Sequence, residues 1–156
     1  PWGGRWGWLT VSRTRGILGG KIKTYTEGQS MLNHYNETIT FILQMSVIAQ
    51  DDDIASWISG RSAPATFEFA EIKTRRFEWF LSPDKSKATL IEVFDDSDGA
   101  LTRFQNLMSG PIAAEWMERF KIDSLTVLGD ASDSLREAIA PMEPDVRTFA
   151  GGFTRA

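Results

Sequence analysis

Among the residues able to do chemistry, one acid stands apart. Glu92 lies in Thr89-Leu90-Ile91-Glu92-Val93-Phe94, a run that otherwise reads as apolar strand. A carboxylate carried into such surroundings loses its hydration, which raises its pKa and suits it to accept a proton. The competing reading is a structural carboxylate paired with a cation such as Arg103. Glu78, in Phe77-Glu78-Trp79-Phe80-Leu81, carries the same ambiguity, and Asn106 either orients a ligand carbonyl or faces solvent. Aromatic and methionine side chains recur at helical spacing, among them Phe104, Met108, Trp116 and Phe120. Such a stripe is plain core by default and pocket wall only where a ligand binds against it.

Much other chemistry is excluded. The chain has no cysteine, so it offers no disulfide framework, thiolate metal site or cysteine nucleophile. Its one histidine, His34, rules out histidine metal clusters and weakens any Ser-His-Asp reading. No phosphate loop or dinucleotide fingerprint occurs. Neither a metal nor a cofactor is expected, while ten Phe, six Trp and two Tyr supply aromatic surface.

The 156 residues, 42% apolar and 24% charged, suffice for a globular domain with a substantial core. The net charge of -4 is unevenly spread. Residues 1–30 set Arg5, Arg13, Arg15, Lys21 and Lys23 against the single acid Glu27, so the remainder is more acidic than the average suggests. That acidic body argues against nucleic acid as a partner. The head also carries Trp2, Trp6 and Trp8 among many glycines. Residues 1–30 are therefore separated from a domain over 31–156. The head reads first as an appended or upstream segment, with Met31 as a natural start, and second as a piece packed through its tryptophans. A membrane or nucleic-acid contact is the least favoured reading. No leader-like apolar run follows the arginines and no stretch is long enough to span a bilayer, so a cytoplasmic protein is expected. Asn36-Glu37-Thr38 matches a glycosylation sequon by chance.

Thr38 to Ile48, rich in β-branched residues, predicts a strand ending at Asp51-Asp52-Asp53. Those acids would cap a short helix carrying Ile54, Trp57 and Ile58, stopped by Gly60, with a second helix starting near Pro64. Phe77–Leu81 and Ala88–Phe94 flank a polar turn and predict an antiparallel hairpin. Asp95 to Asp98 then open a helix with Leu101, Phe104, Leu107 and Met108 on one face. After Gly110-Pro111 a continuation carries Ile112, Trp116, Met117 and Phe120. A strand follows over Ser124–Leu128, and a last helix starts near Ser132, with Ser134 and Glu137 at capping-box spacing, and stops before Pro141. The tail from Arg147 reads as extended. This order makes an α+β chain, a ferredoxin-like β-α-β-β-α-β antiparallel sheet with helices on one face. Both faces of the hairpin are largely apolar, which predicts a homodimer through the sheet face left open by the helices.

Several stretches together resemble the antibiotic biosynthesis monooxygenase family, in a branch described as quinol monooxygenase-like. They are Phe77 to Ser82, Ile91-Glu92-Val93-Phe94-Asp95-Asp96-Ser97, Leu125 to Gly129 with Ser132, Leu135, Arg136 and Ala138, and Gly151-Gly152-Phe153. The resemblance implies a dimeric α/β barrel built from two ferredoxin-like subunits. Lys73-Thr74-Arg75-Arg76 stands where relatives tend to have a glycine-containing loop and an acid-proline pair, and Arg103 where they often have histidine. The family includes haem-degrading members, which need a histidine this chain lacks in the matching region.

What the resemblance implies for chemistry is a cofactor-independent monooxygenase acting on an aromatic or quinol-type molecule, its substrate serving as electron source. In that reading Glu92 and Trp79 are the catalytic pair. Phe94, Phe104, Asn106, Met108, Trp116 and Phe120 line a pocket for a small aromatic ligand. The alternative is a non-catalytic dimeric ligand-binding or stress-associated protein of the same fold.

Overall fold

The structure is a computed structural model, described here for residues 14–18, 21–25, 37–49 and 53–152. Residues 36–149 form one compact unit, and residues 1–35 with 150–156 form another. In the second of these, β1 (Thr14–Leu18) and β2 (Lys21–Tyr25) pair as an antiparallel ribbon, Ile17 opposite Ile22. The boundary at residue 31, the head tryptophans, His34, Asn36 and Phe153 lie outside the described residues.

The larger unit is organised around β3 (Ile39–Val47), whose period-two pattern buries Ile39, Phe41, Leu43 and Met45. On one side β3 pairs with β5 (Lys87–Phe94), itself paired with β4 (Thr74–Leu81). On the other side it pairs with β6 (Phe120–Leu128). The resulting order β4-β5-β3-β6, all antiparallel, is that of a ferredoxin-like sheet. A short β7 (Asp145–Arg147) adds parallel to β6 and makes the sheet mixed, an edge that the extended tail did not reveal.

Between β3 and β4 run α1 (Ile54–Trp57), a π-helical turn over Ile58–Ser62, and α2 (Ala63–Glu68). Asp53 caps α1 as expected, accepting from the Ser56 amide. Gly60 does not stop the helix. The chain widens instead, the Ala63 amide reaching back five residues to the Ile58 carbonyl. Next come α3 (Ser97–Ser109) and α4 (Ile112–Arg119), separated at Gly110-Pro111, and finally α5 (Asp133–Ile139). The N-cap of α5 is Ser132, accepting from Leu135 N, in place of a capping box at Ser134.

Two departures from the sequence reading have one cause each. Strand β6 begins at Phe120, not Ser124, because its register shifts between Gln44 and Met45 of β3. That bulge reverses the phase, so Leu125 and Val127 point inward on one side of it and Phe120 and Ile122 on the other. A broken alternation hides a strand, and Phe120, expected on the preceding helix, instead opens β6. On α3 the buried residues are Gly99, Ala100 and Arg103, while Met108 stays 57% exposed. Small residues bring the N-terminal half of α3 close to the loop before β4. A β-carbon on Gly99 would stand only 2.7 Å from Lys73 Cβ.

One core joins Ile54, Ile58, Ala100, Trp116, Leu135 and Ile139 of the helical layer to the inward faces of β3, β5 and β6. Gly129, which ends β6, has φ +117, and an added β-carbon would lie 2.3 Å from the Thr38 carbonyl. Both the left-handed backbone and the contact oppose any side chain there. Gly129→Ala is expected to cost about 2–4 kcal/mol in urea unfolding. A loss below about 0.5 kcal/mol would contradict the close approach of β6 to β3.

Candidate active site: an ion pair in an apolar cavity

Between the helical layer and the sheet lies a cavity of about 300 Å³. Its walls are almost wholly apolar. Phe41 and Leu43 come from β3, Phe77 and Trp79 from β4, Leu90 from β5, Phe104 and Leu107 from α3, Ile112, Ala113 and Trp116 from α4, and Met142 from the turn after α5. Met108 and Met117, on either side of the Gly110-Pro111 break, also line it while more than half exposed, and so mark its mouth.

Into this lining project Glu92 and Arg103. Glu92 follows Ala88 and Leu90 on the inward face of β5 and is 6% exposed; Arg103, on α3, is 4% exposed. Arg103 Nε donates to Glu92 Oε1 at 2.9 Å, and Nη2 donates to the Thr66 hydroxyl at 3.2 Å. The guanidinium lies over the Phe77 ring, 5.2 Å from its centroid. Oε2 of Glu92 and Nη1 of Arg103 have no hydrogen-bond partner among the described residues. Burial pushes the Glu92 carboxyl above its ordinary value of 4.5, and the charge of Arg103 offsets only part of that rise. A third polar group is Trp79 Nε1, buried without an acceptor among the described residues.

The expected site residues divide into two sets. Glu92, Trp79, Phe104, Met108 and Trp116 share the cavity wall. Phe94, Phe120 and Asn106 do not reach it. Phe94 is fully buried behind Phe41, edge to face with centroids 5.2 Å apart. Phe120 supports the wall from behind, its ring 5.1 Å from Trp79 and 5.7 Å from Trp116. Asn106 donates to Glu71 Oε1 at 2.9 Å and ties α3 to the loop before β4. Glu78 lies beside Arg76 on the far face of the sheet and pairs with it. Ser62 and Thr66 are polar residues of the site that sequence reading missed. The available signal was a four-residue spacing, Ile54, Ile58, Ser62, Thr66, continuing a buried stripe with hydroxyls.

The wall formed by α4 is fastened from outside the cavity. Glu115 accepts from Trp57 Nε1 at 3.0 Å and from Arg61 Nη2 at 2.7 Å. Those bonds hold its carboxyl down at about 2. Among the described residues no group of three or more His, Asp or Glu is placed to hold a metal ion, and no helix is long and apolar enough to cross a membrane.

No family model and no curated protein matches the chain. Solved structures do resemble it. MupZ from Pseudomonas fluorescens aligns with a TM-score of 0.62 at 18% identity, over 77% of this chain and 96% of that one. SnoaB, a cofactor-independent oxygenase from Streptomyces nogalater, aligns at 0.48 and 15% identity, over 62% of this chain and 95% of its own. At these identities the likeness is one of fold.

Arg103→Met leaves the Glu92 carboxylate buried without its cation, at an expected cost of about 3–5 kcal/mol at neutral pH. The sign with pH follows from the raised carboxyl. The folded state holds that proton more tightly than the unfolded chain, so stability from this group falls as pH rises past 4.5 and through the folded value. The deficit of Arg103→Met relative to the native chain should therefore shrink as pH is lowered towards 5. A deficit independent of pH in thermal melts would show that Glu92 is not the group left buried and unpaired.

Proposed function

We propose that this chain is a cofactor-independent monooxygenase-like protein that takes a neutral aromatic or quinol-type molecule into the apolar cavity. The observation that carries the reading is the Glu92–Arg103 pair, buried against apolar walls yet leaving Glu92 Oε2 without a partner among the described residues. The family resemblance of the hairpin and of the α3 entry supports the same reading.

The steps follow from the residues. An acidic C–H or O–H of the bound molecule gives its proton to Glu92 Oε2, whose raised pKa makes it a competent base. Arg103 then loses its carboxylate partner and becomes the counter-charge of the new carbanion or phenolate. Trp79 Nε1, otherwise without an acceptor, donates to the oxygen on which that charge is delocalised. The anion supplies electrons to dioxygen. For an anthrone the ring CH₂ becomes C=O, one oxygen atom entering the product, and the second oxygen leaves as water with the two hydrogens. Substrate is oxidised and dioxygen reduced, with no further reductant required.

Oxygen uptake with a panel of anthrones and reduced quinols is the direct test. Glu92→Gln is expected to lower the rate by about 10²–10³-fold and Trp79→Phe by about 10²-fold. In the native protein the rate should rise with pH through a value above 4.5, as Glu92 ionises. Saturable binding with no oxygen consumption on any of these compounds would overturn catalysis in favour of a ligand-binding protein of the same fold.

We further propose that two copies pair through the sheet face away from the helices. Thr40, Ile42, Thr89, Ile91, Val93, Thr126 and Leu128 stand there, half-buried and uncharged, with Ile42 directly opposite Ile91. Such a face suits a second copy better than solvent. Sedimentation equilibrium should return twice the chain mass for the native protein and a monomer for Ile91→Lys. A native monomer at micromolar concentration would dispose of the barrel.

A further inference from the structure

Ser62 is 1% exposed, lines the cavity, and forms no hydrogen bond through its hydroxyl with the described residues. A helical serine ordinarily satisfies itself on the carbonyl four residues back, as Ser59 does on Ala55 O at 2.9 Å. For Ser62 that carbonyl belongs to Ile58, which in the π-helical turn accepts from the Ala63 amide. The same turn keeps Ser62 inward. On a straight α-helix a four-residue spacing drifts by about 40° per step. The wider π turn removes part of that drift, so Ile54, Ile58, Ser62 and Thr66 all remain buried.

Neighbouring contacts place Ser62 along the cavity. Thr66 accepts from Arg103, which lies over Phe77. Two residues further along β4, Trp79 packs on Phe120, and Phe120 also meets Trp57 of α1. Ser62 falls between Trp57 and Thr66 in the same helical run. Ser62 thus lines the same cavity as the Arg103 guanidinium and the Trp79 indole.

We infer that Ser62 is a specificity-determining residue, whose hydroxyl meets a second oxygen function on the ring system bound in the cavity. This rests on the proposed aromatic occupant and narrows it. The ligand carries two oxygen functions, one for Trp79 Nε1 and one for Ser62 Oγ, rather than a single polar end. A hydroxyl that opens onto an apolar cavity disfavours ligands that cover it without a hydrogen bond, which makes it a discriminator as well as a contact.

Isothermal titration calorimetry with naphthalene, 2-naphthol and 2,7-dihydroxynaphthalene tests this. The native protein is expected to bind the diol about fivefold tighter than the naphthol, the worth of one hydrogen bond in such a site. Ser62→Ala should abolish that gain and leave naphthalene affinity unchanged, while Ser62→Thr, which keeps the hydroxyl, should retain it. Equal weakening of all three probes by Ser62→Ala, or no change for the diol, overturns the role of Ser62 while leaving the aromatic pocket intact. Failure of the native protein to bind any of the three overturns the pocket reading and the inference together.

Discussion

The burial of one charge governs how the larger unit is put together. Glu92 occupies a position on β5 whose neighbours on the same face, Leu90 and Phe94, are plain core. Stripping a carboxylate of water costs several kcal/mol unless a cation and hydrogen bonds replace the lost hydration. Here Arg103 must come in from α3, and Thr66 must satisfy it from α2. Phe77 of β4 stacks beneath. Four elements thus meet at one pair, and none can shift without stranding a charge. Gly99 and Ala100 belong to the same requirement, because only small residues let α3 approach closely enough for an arginine one turn later to reach β5.

The cavity is the complement of that approach. Where α3 carries small residues the core is filled; further on, at Phe104 and Leu107, the side chains line open space instead. Pro111 supplies no amide to continue α3, so the chain breaks and α4 starts on a new course. The Trp57 and Arg61 bonds to Glu115 then fix α4 from behind, and Trp116 is presented inward from the same helix. The pocket is therefore a consequence of where two helices cannot close on the sheet, held by contacts outside it.

Much of this was legible in the sequence because it follows from short-range physics. Alternation in β3 and β5, the acids ahead of α3, and the polar turn between β4 and β5 each have a local cause, and the sheet order follows from their sequence. Glu92 was conspicuous for the same reason, an acid among apolar residues. What sequence could not resolve depends on long-range geometry. The bulge in β6 scrambled its alternation and sent Phe120 to the wrong element. Phe94 shares the inward face of β5 with Glu92, yet Phe41 stands between it and the cavity. Asn106 of α3 is spent on Glu71, a residue from the loop before β4. For Ser62 the four-residue spacing from Ile54 and Ile58 was a weak signal, since its inward position depends on a π turn that composition does not announce.

Charge balance narrows what the cavity accepts. Glu92 and Arg103 together are neutral, and among the described residues nothing else charged lines the space. An anionic ligand would have to leave water for apolar walls while the only cation nearby is already compensated, which is unfavourable. A neutral acid meets no such penalty. In the proposed reaction its proton passes to Glu92 Oε2, and the negative charge moves from carboxylate to ligand without any change in the net charge of the site. The buried pair thus does for a bound molecule what hydration does in water. Replacing such a pair with apolar residues is often neutral or stabilising for a fold, so stability gives little reason for it here, whereas the proposed relocation of charge would give a specific one.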